Sequence, residues 1–359
     1  MFVYVVTSVI SICVAFLAAR VKKGKLGIAW LSAIPLFLVA ALRTWTGTDY
    51  ATYYYNQSQE ILNGNSQHLE IAFRGIILLA YNVFSSYQVA IAIFAFVTIF
   101  LSWKYFLKES NNISFMIFVF ISLGCFYFSL NAMRQAVAIA IFCYATRFIK
   151  ERKFKEYVLI IFFGVTIHYS AVLYLPLYFV LNKKISTKNL LMISVIIFFF
   201  SSFLAKYIYP LFLGKYMAYF NWGSSSSYNF RYFIPLTFVL GLYLVYLKKN
   251  KLNSFFETEN AIHKNLTIFA FWGCLLAPTL TGESSSRAIA FFLPGVCVFW
   301  NSLYKISRKE IKILSVLLGV VIFSYISMKN PGWILPYHSI FDDYKMSYTE
   351  FIYKIYSNR

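Results

Sequence analysis

Charged residues are scarce in this chain of 359 residues, and acidic residues are the scarcest of them. Only 13% of the residues are charged, with 13 Asp and Glu against 33 Lys and Arg. Hydrophobic residues make up 60% of the chain, aromatic residues 21%, and the mean hydropathy is +0.65. Soluble domains carry about 25% charged residues. The composition therefore excludes an ordinary soluble protein.

Several signatures of enzymes and pumps are also missing. The chain has no G-x-x-x-x-G-K-[ST] phosphate loop, no G-x-S-x-G elbow and no H-E-x-x-H pair, so ATP-driven transport and common hydrolase chemistry lack their motifs. The cysteines lie in apolar runs without metal-ligand spacing; they are Cys13, Cys125, Cys143, Cys274 and Cys297. We expect them to be small buried hydrophobes, and we predict no disulfide, no metal site and no cofactor.

Long apolar runs are what the chain has in abundance. Their length of about 17 to 24 residues matches a hydrocarbon core of roughly 30 Å. The first run, 2–19, lacks a basic segment before it and is followed by basic residues, which is typical of an anchor with its N-terminus outside and not of a cleaved signal. We predict an all-α polytopic membrane protein of about 10–12 transmembrane helices, some short or broken, around an outward-facing cavity.

The net charge of +20 comes mainly from short basic loops between the apolar runs. Such loops remain on the cytoplasmic side, so the charge indicates membrane topology and no nucleic-acid partner. This topology places two loops, about 43–70 and 214–229, and a C-terminal tail, about 328–359, outside. It places a loop of about 248–264 inside. Without an internal repeat, we treat 1–359 as one transmembrane domain.

Four segments depart from simple membrane crossings. The apolar segment Ile71–Phe84 is too short to span comfortably, and we predict an interfacial or re-entrant helix. The run 115–149 is about twice the length of one span, so we predict a turn at the polar cluster 131–135. Segment 157–181 has basic loops at both ends and is predicted to be a hairpin broken around 168–170. Residues 283–287 are predicted to form an outer turn.

Five of the ten arginines lie on the predicted outer side, where the charge bias of membrane insertion does not place them. They are Arg43, Arg74, Arg134, Arg231 and Arg287. A single arginine near a helix end can reach anionic headgroups. Five on one side are better explained as an anion site, and because guanidinium forks bind phosphate oxygens in pairs, we predict a diphosphate site.

Hydrogen-bonding and acid–base side chains share that predicted outer side. They are Asp49, Tyr50, Tyr53, Asn131, Gln135 and Glu283, together with His168 from the broken hairpin. The external Tyr, Trp and Asn side chains suit a polar ligand with flat apolar faces, and a sugar has both features. His168 is the favoured base because histidine titrates near neutral pH, with Asp49 and Glu283 as alternatives. The other interpretations are packing for His168 and local ion pairs for Asp49 with Arg43 and for Glu283 with Arg287.

Three short motifs occur in a characteristic order. Arg43-Thr-Trp-Thr-Gly-Thr-Asp-Tyr50 is followed by Tyr53, Asn131-Ala-Met-Arg-Gln135 opens a helix, and His168-Tyr-Ser-Ala171 lies near a helix break. Pro336-Tyr337 follows the last helix. Together the motifs resemble the EpsG family of Wzy-like polysaccharide polymerases, over about residues 30–340.

The resemblance implies a polymerase of the bacterial inner membrane whose active site faces the periplasm or the cell exterior. Its substrates would be a donor and an acceptor oligosaccharide, each linked to undecaprenyl diphosphate, and a chain-length regulator would be a further partner. Matching the motifs carries roles over to Arg43, Asp49 and Tyr50, to Asn131, Arg134 and Gln135, and to His168. The product is left open among O-antigen, capsule and exopolysaccharide.

Two other functions use a similar site. A flippase for the same lipid-linked sugar would need arginines along a path through the membrane, whereas these lie near one side. A ligase that moves finished glycan to another acceptor would share the donor site, and the sequence does not separate the two acceptors. A non-catalytic scaffold would need neither a buried histidine nor aligned arginines. We therefore predict a metal-independent glycosyltransferase of the polymerase type.

Overall fold

The structure is a computed structural model that describes residues 1–21, 23–110, 112–203, 207, 230–247, 260–279, 282–329, 335–342, 344–347 and 349–350. Within these ranges four helices are long and apolar enough to cross a membrane: Phe2–Arg20, Lys25–Leu42, Tyr87–Glu109 and Lys309–Met328. Two bent helix pairs raise this to six, and five further apolar helices are shorter. The chain is an all-α polytopic membrane protein, as predicted.

The chain divides into two compact units. The first contains Met1–Tyr178 and Ser324–Arg359, and the second contains Phe179–Phe323. The single domain expected from the sequence stays a prediction, as does the side of the membrane that each loop faces.

The helices of the first unit follow the apolar runs. In chain order they are α1 Phe2–Arg20, α2 Lys25–Leu31, α3 Ile34–Leu42, α4 Thr48–Ala51, a π-helix Thr52–Gln57, α5 Ser58–Leu62, α6 Ile71–Phe84, α7 Tyr87–Glu109, α8 Ile113–Ser122, α9 Cys125–Asn131, α10 Met133–Lys150, α11 Phe154–Val165 and a 3₁₀ helix Tyr169–Tyr174. The short helix Leu177–Val180 follows. The predicted short helix has the expected bounds, Ile71–Phe84.

Helix α10 lies at the centre of the first unit and packs against both α7 and α11. Its residues Ala136, Ala138 and Ala140 are buried, and small side chains let neighbouring membrane helices approach closely. At the far end of the helix, Nζ of Lys150 lies 2.5 Å from Oε2 of Glu109 at the end of α7. These contacts fix the position of the residues that open α10.

Both predicted interruptions are confirmed. The run 115–149 breaks at Ala132, within the predicted cluster 131–135, so that α10 begins at Met133. The run also bends by 55° between α8 and α9, which was not predicted. In the predicted hairpin, α11 ends at Val165 and a 3₁₀ helix begins at Tyr169. Unwound backbone at membrane depth is tolerated only where protein or a cavity satisfies its polar groups. Both breaks therefore mark places where a site can form.

Two short strands bring the C-terminal segment back to the first loop. Strand β1, Arg43–Thr44, pairs antiparallel with strand β2, His338–Ser339, with Arg43 opposite Ser339. The hydroxyl of Tyr337 donates a hydrogen bond to the carbonyl oxygen of Val39 at 3.2 Å. This pairing was not predicted. It explains why Pro336-Tyr337 belongs to the same set of motifs as Arg43.

The second unit is also helical. Its helices are Thr187–Phe203, Phe230–Leu247, Ala261–Leu276, Gly282–Ala290 and Leu293–Ile306, and Lys309–Lys329 begins there and continues into the first unit. Ala261–Leu276 packs against Leu293–Ile306. The contact is so close at Gly295 that an added Cβ would lie 2.5 Å from Cδ1 of Leu266.

One local prediction was wrong. Residues 283–287, predicted as an outer turn, lie within the helix Gly282–Ala290. Ser285 and Ser286 are buried in this helix, so the polar run forms a packed face and not an exposed turn. The predicted loop 214–229 and most of the predicted loop 248–264 lie outside the described residues.

Candidate functional site

A charged cluster forms in the first unit around Glu70, which directly precedes α6. Its carboxylate is buried, with 4% of the residue exposed. Oε2 accepts a hydrogen bond from Nη1 of Arg134 at 2.5 Å, and Oε1 lies 3.2 Å from Nδ1 of His168. The backbone N–H of Tyr169 also donates to Oε1, at 3.1 Å. One carboxylate thus joins α6, α10 and the break after α11.

Backbone hydrogen bonds explain why these groups meet. The chain at Glu70 is extended, and α6 starts with the N–H of Arg74 donating to the carbonyl of Glu70 at 3.0 Å. The N–H of Ala72, one of the donors left over at a helix start, binds the carbonyl of Thr166 in the hairpin break at 2.8 Å. The start of α6 is therefore tied to the backbone beside His168.

Glu70 is ionised over the ordinary pH range. Burial by itself raises the pKa of a carboxyl group. The hydrogen bond with His168, the positive charge of Arg134 and the backbone N–H of Tyr169 outweigh burial and hold the pKa of Glu70 below its ordinary value. Because an ionised carboxylate only accepts hydrogen bonds, the proton in the Glu70–His168 contact belongs to Nδ1 of His168.

Arg134 is held by aromatic rings as well as by Glu70. It is the second residue of α10, and its guanidinium carbon lies 4.6 Å from the ring centre of Phe73 and 5.3 Å from that of Tyr53. Cations over aromatic faces gain electrostatic energy. The planar guanidinium is fixed by this stacking, and its orientation is set before any ligand arrives.

The turn before α10 joins the first and second motifs. Oδ1 of Asn131 accepts the backbone N–H of Asp49 at 3.0 Å. The chain can approach this closely because Gly47 has a φ of +93°, and a Cβ at this position would lie 2.9 Å from the same Oδ1. Gly47 is therefore required by both its backbone conformation and its contact.

Aromatic residues of the first loop pack around this turn. Tyr50 meets the ring of Tyr87 edge-on at 5.8 Å, and Trp45 lies 5.3 Å from Tyr50. Tyr50 and Tyr53 are both buried. These rings are part of the packing beneath the charged cluster, and Tyr53 connects them to Arg134.

Comparison with known protein families identifies the chain. The sequence pattern of the EpsG family matches residues 27–349, which is nearly the whole chain. The chain belongs to the EpsG family. EpsG proteins are Wzy-like polysaccharide polymerases. Comparison with curated proteins and with solved structures finds no match.

The three motifs of this EpsG protein do not all converge. Asp49, Asn131, Arg134 and His168 lie in one connected neighbourhood through the contacts above. Arg43 is buried with 2% exposed, and its Nη1 donates to the carbonyl of Ala40 at 2.5 Å. Within the described part of the chain, Arg43 contacts neither Arg134 nor His168. Gln135 is buried beside Arg134 on α10.

The remaining predicted residues lie elsewhere in the EpsG chain. Arg74 lines a separate groove of the first unit. Arg231 and Arg287 belong to the second unit, where the guanidinium of Arg231 lies 4.5 Å from the ring centre of Tyr232. The side chain of Glu283 lies outside what the structure describes. A shared role of all five arginines in binding diphosphate stays a prediction.

Glu70 is the residue that sequence reasoning missed. Asp49 lies within the first of the three motifs, whereas Glu70 stands alone at the end of a long polar loop. Two signals could have indicated it: acids are scarce throughout this EpsG chain, with 13 in 359 residues, and a carboxylate directly before an apolar helix suits the positive helix N-terminus.

Proposed function

We propose that this chain polymerises oligosaccharide repeat units that are linked to undecaprenyl diphosphate, at the periplasmic or outer face of the bacterial inner membrane. The reaction transfers the growing glycan from its lipid diphosphate onto the terminal sugar of a new lipid-linked unit. The observation that carries the proposal is the contact between the Glu70 carboxylate and Nδ1 of His168, with Arg134 on the other carboxylate oxygen.

His168 acts as the base in this proposal. Since the Glu70 contact keeps the proton on Nδ1, the lone pair of the neutral ring is on Nε2, which makes no hydrogen bond within the described residues. This arrangement matches the carboxylate–histidine pair of serine hydrolases, in which the carboxylate sets the tautomer and stabilises the imidazolium. Asp49 and Glu283 are the weaker candidates for the base.

The bond changes balance around this base. The acceptor hydroxyl gives its proton to Nε2 of His168, and its oxygen forms a bond to the anomeric carbon of the donor. The bond from that carbon to the diphosphate oxygen breaks, and its electron pair remains on the diphosphate. Arg134 has guanidinium N–H groups beyond the one that binds Glu70, and these stabilise the growing negative charge.

The other predicted residues support the substrates. We propose that Arg43 and Arg74 contribute positive charge around the diphosphate, and that Tyr50, Tyr53, Asn131 and Gln135 hold the sugar side. Arginine then does the work that a metal ion does in many phosphate sites. A chain-length regulator is proposed as a partner of the polymerase.

The test is glycan synthesis by the purified protein in nanodiscs, given lipid-diphosphate-linked repeat units and excess EDTA. We expect wild type to form a ladder of products, and His168→Ala and Arg134→Ala to remain folded but to form no detectable ladder in the same time. Arg308→Ala, at an exposed position between the helices Leu293–Ile306 and Lys309–Lys329, is the matched control and should form the ladder.

Three outcomes contradict parts of the proposal. A ladder that EDTA abolishes would refute metal independence. Substrate binding without any ladder, accompanied by transfer to a different acceptor, would make the protein a ligase. Movement of the lipid-linked unit across a sealed vesicle without synthesis would make it a flippase.

A further inference from the structure

A groove lies beside the charged cluster, within the first unit. It has a volume of about 380 Å³ and runs between the start of α6 and the end of α11, within the range of about 300–1,000 Å³ that is typical of small-molecule sites. One wall is apolar, with Phe162 and Phe163 each 55% exposed. The other wall carries Arg74.

Arg74 is available for a ligand. Within the part of the chain that the structure describes, it forms no ion pair, and its Nε is shielded from solvent without a hydrogen-bond partner. Polar groups shielded in this way are normally satisfied in a working protein. The Nε of Arg134 on α10 also lacks a partner, but its Nη1 is bound by Glu70. The two arginines therefore have different tasks.

The groove is directly next to the proposed base. Thr166 and Tyr169, which flank His168 in the chain, line the groove, and so do Leu69 and Ile71, which flank Glu70. The backbone that carries Glu70 and His168 thus borders the groove, although the two side chains themselves do not line it. A ligand in the groove would lie beside the segment that carries the base.

We propose that this groove binds the diphosphate and the first isoprene units of the donor, the substrate that loses its diphosphate. A polyprenyl diphosphate has a strong anion joined to a long apolar chain, which matches one arginine without an ion pair opposite two exposed phenylalanines. The rest of the chain would extend into the bilayer, since the groove is too small for a complete polyprenyl tail.

The position of the base decides whether the groove binds the donor or the acceptor, and this assignment rests on the proposed function. The reacting hydroxyl of the acceptor lies at the end of its oligosaccharide that is farthest from its own diphosphate. The reacting carbon of the donor, in contrast, is bonded directly to a diphosphate oxygen. A diphosphate site next to His168 therefore belongs to the donor.

The test uses undecaprenyl diphosphate without any sugar as the probe, bound to the full-length protein in phosphatidylcholine nanodiscs. We expect Arg74→Ala to weaken binding by about tenfold to a hundredfold, because a charged hydrogen bond is lost, and Arg74→Lys to weaken it less. Arg152→Ala, an exposed arginine in the loop before α11, should bind as wild type does. Unchanged binding by Arg74→Ala would overturn the proposal.

The apolar wall has its own test. Replacing both Phe162 and Phe163 by alanine should reduce binding of undecaprenyl diphosphate and leave binding of inorganic pyrophosphate unchanged. If inorganic pyrophosphate or an anionic phospholipid competes as well as the polyprenyl probe in wild type, the groove is a general anion site and the proposal fails. Wild-type Tm values confirm that each variant is folded.

The two proposals fail in different ways. The probe has no sugar, so it reports binding whether or not polymerisation occurs. If wild type forms no glycan ladder but Arg74→Ala loses probe binding, the groove proposal is supported and the polymerase proposal is refuted. A normal ladder together with normal probe binding in Arg74→Ala would refute the groove and leave the polymerase in place.

Discussion

Glu70 and His168 are 98 positions apart in the chain, and Oε1 of the first lies 3.2 Å from Nδ1 of the second. The contact joins the start of a short helix to the unwound middle of a hairpin. Arg134 completes the cluster from a third helix at 2.5 Å. In a chain with so few acids, a buried carboxylate that binds a histidine and an arginine is best explained by a role in catalysis.

Two substitutions of Arg134 distinguish the contribution of its positive charge from that of its planar guanidinium group. Arg134→Ala should reduce the polymerisation rate by about 10²–10³, by analogy with the loss of one charge-stabilising donor in other enzymes. Arg134→Lys keeps the charge but loses the planar fork and the stacking on Phe73 and Tyr53, so it should recover only part of the rate. Initial rates of glycan synthesis measure both. Full activity of the lysine variant would show that only charge matters.

Gly47→Ala should damage the turn that joins the first and second motifs. The added Cβ would lie 2.9 Å from Oδ1 of Asn131, and the φ of +93° disfavours alanine as well. Gly64→Ala is the matched control, because its φ is +78° but nothing lies within 4 Å of the new Cβ. Thermal unfolding should show a larger drop in Tm for Gly47→Ala. Equal drops would mean that the contact with Asn131 contributes nothing.

A disulfide between strands β1 and β2 would test the position of the C-terminal tail. Thr44 and His338 lie directly opposite each other in the pairing, at a separation suited to a disulfide. The double variant Thr44→Cys with His338→Cys should crosslink in growing cells, since disulfides form outside the cytoplasm. Gel mobility with and without reductant measures it, and single variants are the controls. A pair that stays reduced in cells but oxidises after purification would place this region inside.

Acid should weaken the cluster in a defined pH range. Because the pKa of Glu70 is lower in the folded protein than its ordinary value of 4.5, its ionised form stabilises the fold fully above that value, and the stabilisation is lost as pH falls through the lowered pKa. The Tm difference between wild type and Glu70→Gln should therefore be steady from pH 8 to about 5 and shrink at lower pH. A difference that shrinks above pH 5 would contradict the assignment.

Much of the fold follows from lengths and charges in the sequence. A run twice as long as one span has to break, and its only polar cluster places that break next to Arg134. A segment with basic loops at both ends has to return, which places a break at His168. Membrane thickness and loop charge act on each segment separately, so both breaks follow from local sequence.

The contacts that complete the site depend on distant parts of the chain. Glu70 lies 64 positions from Arg134, and the pairing of β2 with β1 joins the two ends of the protein. Neither hydrophobic periodicity nor motif spacing indicates which distant residues will be in contact. The helix Gly282–Ala290 was missed for another reason: its serines favour turns by propensity, and packing overrides that propensity.

The most direct test of the account is the rate of the first glycosyl transfer by wild type and Glu70→Gln, measured at saturating donor and acceptor. We predict that Glu70→Gln lowers the rate by about 10²–10⁴, by analogy with other carboxylate–histidine pairs. Glu60→Gln, whose carboxylate in α5 lies 3.3 Å from Nε2 of His68, should match wild type. A Glu70→Gln enzyme with the wild-type rate would contradict the claim that Glu70 acts through His168.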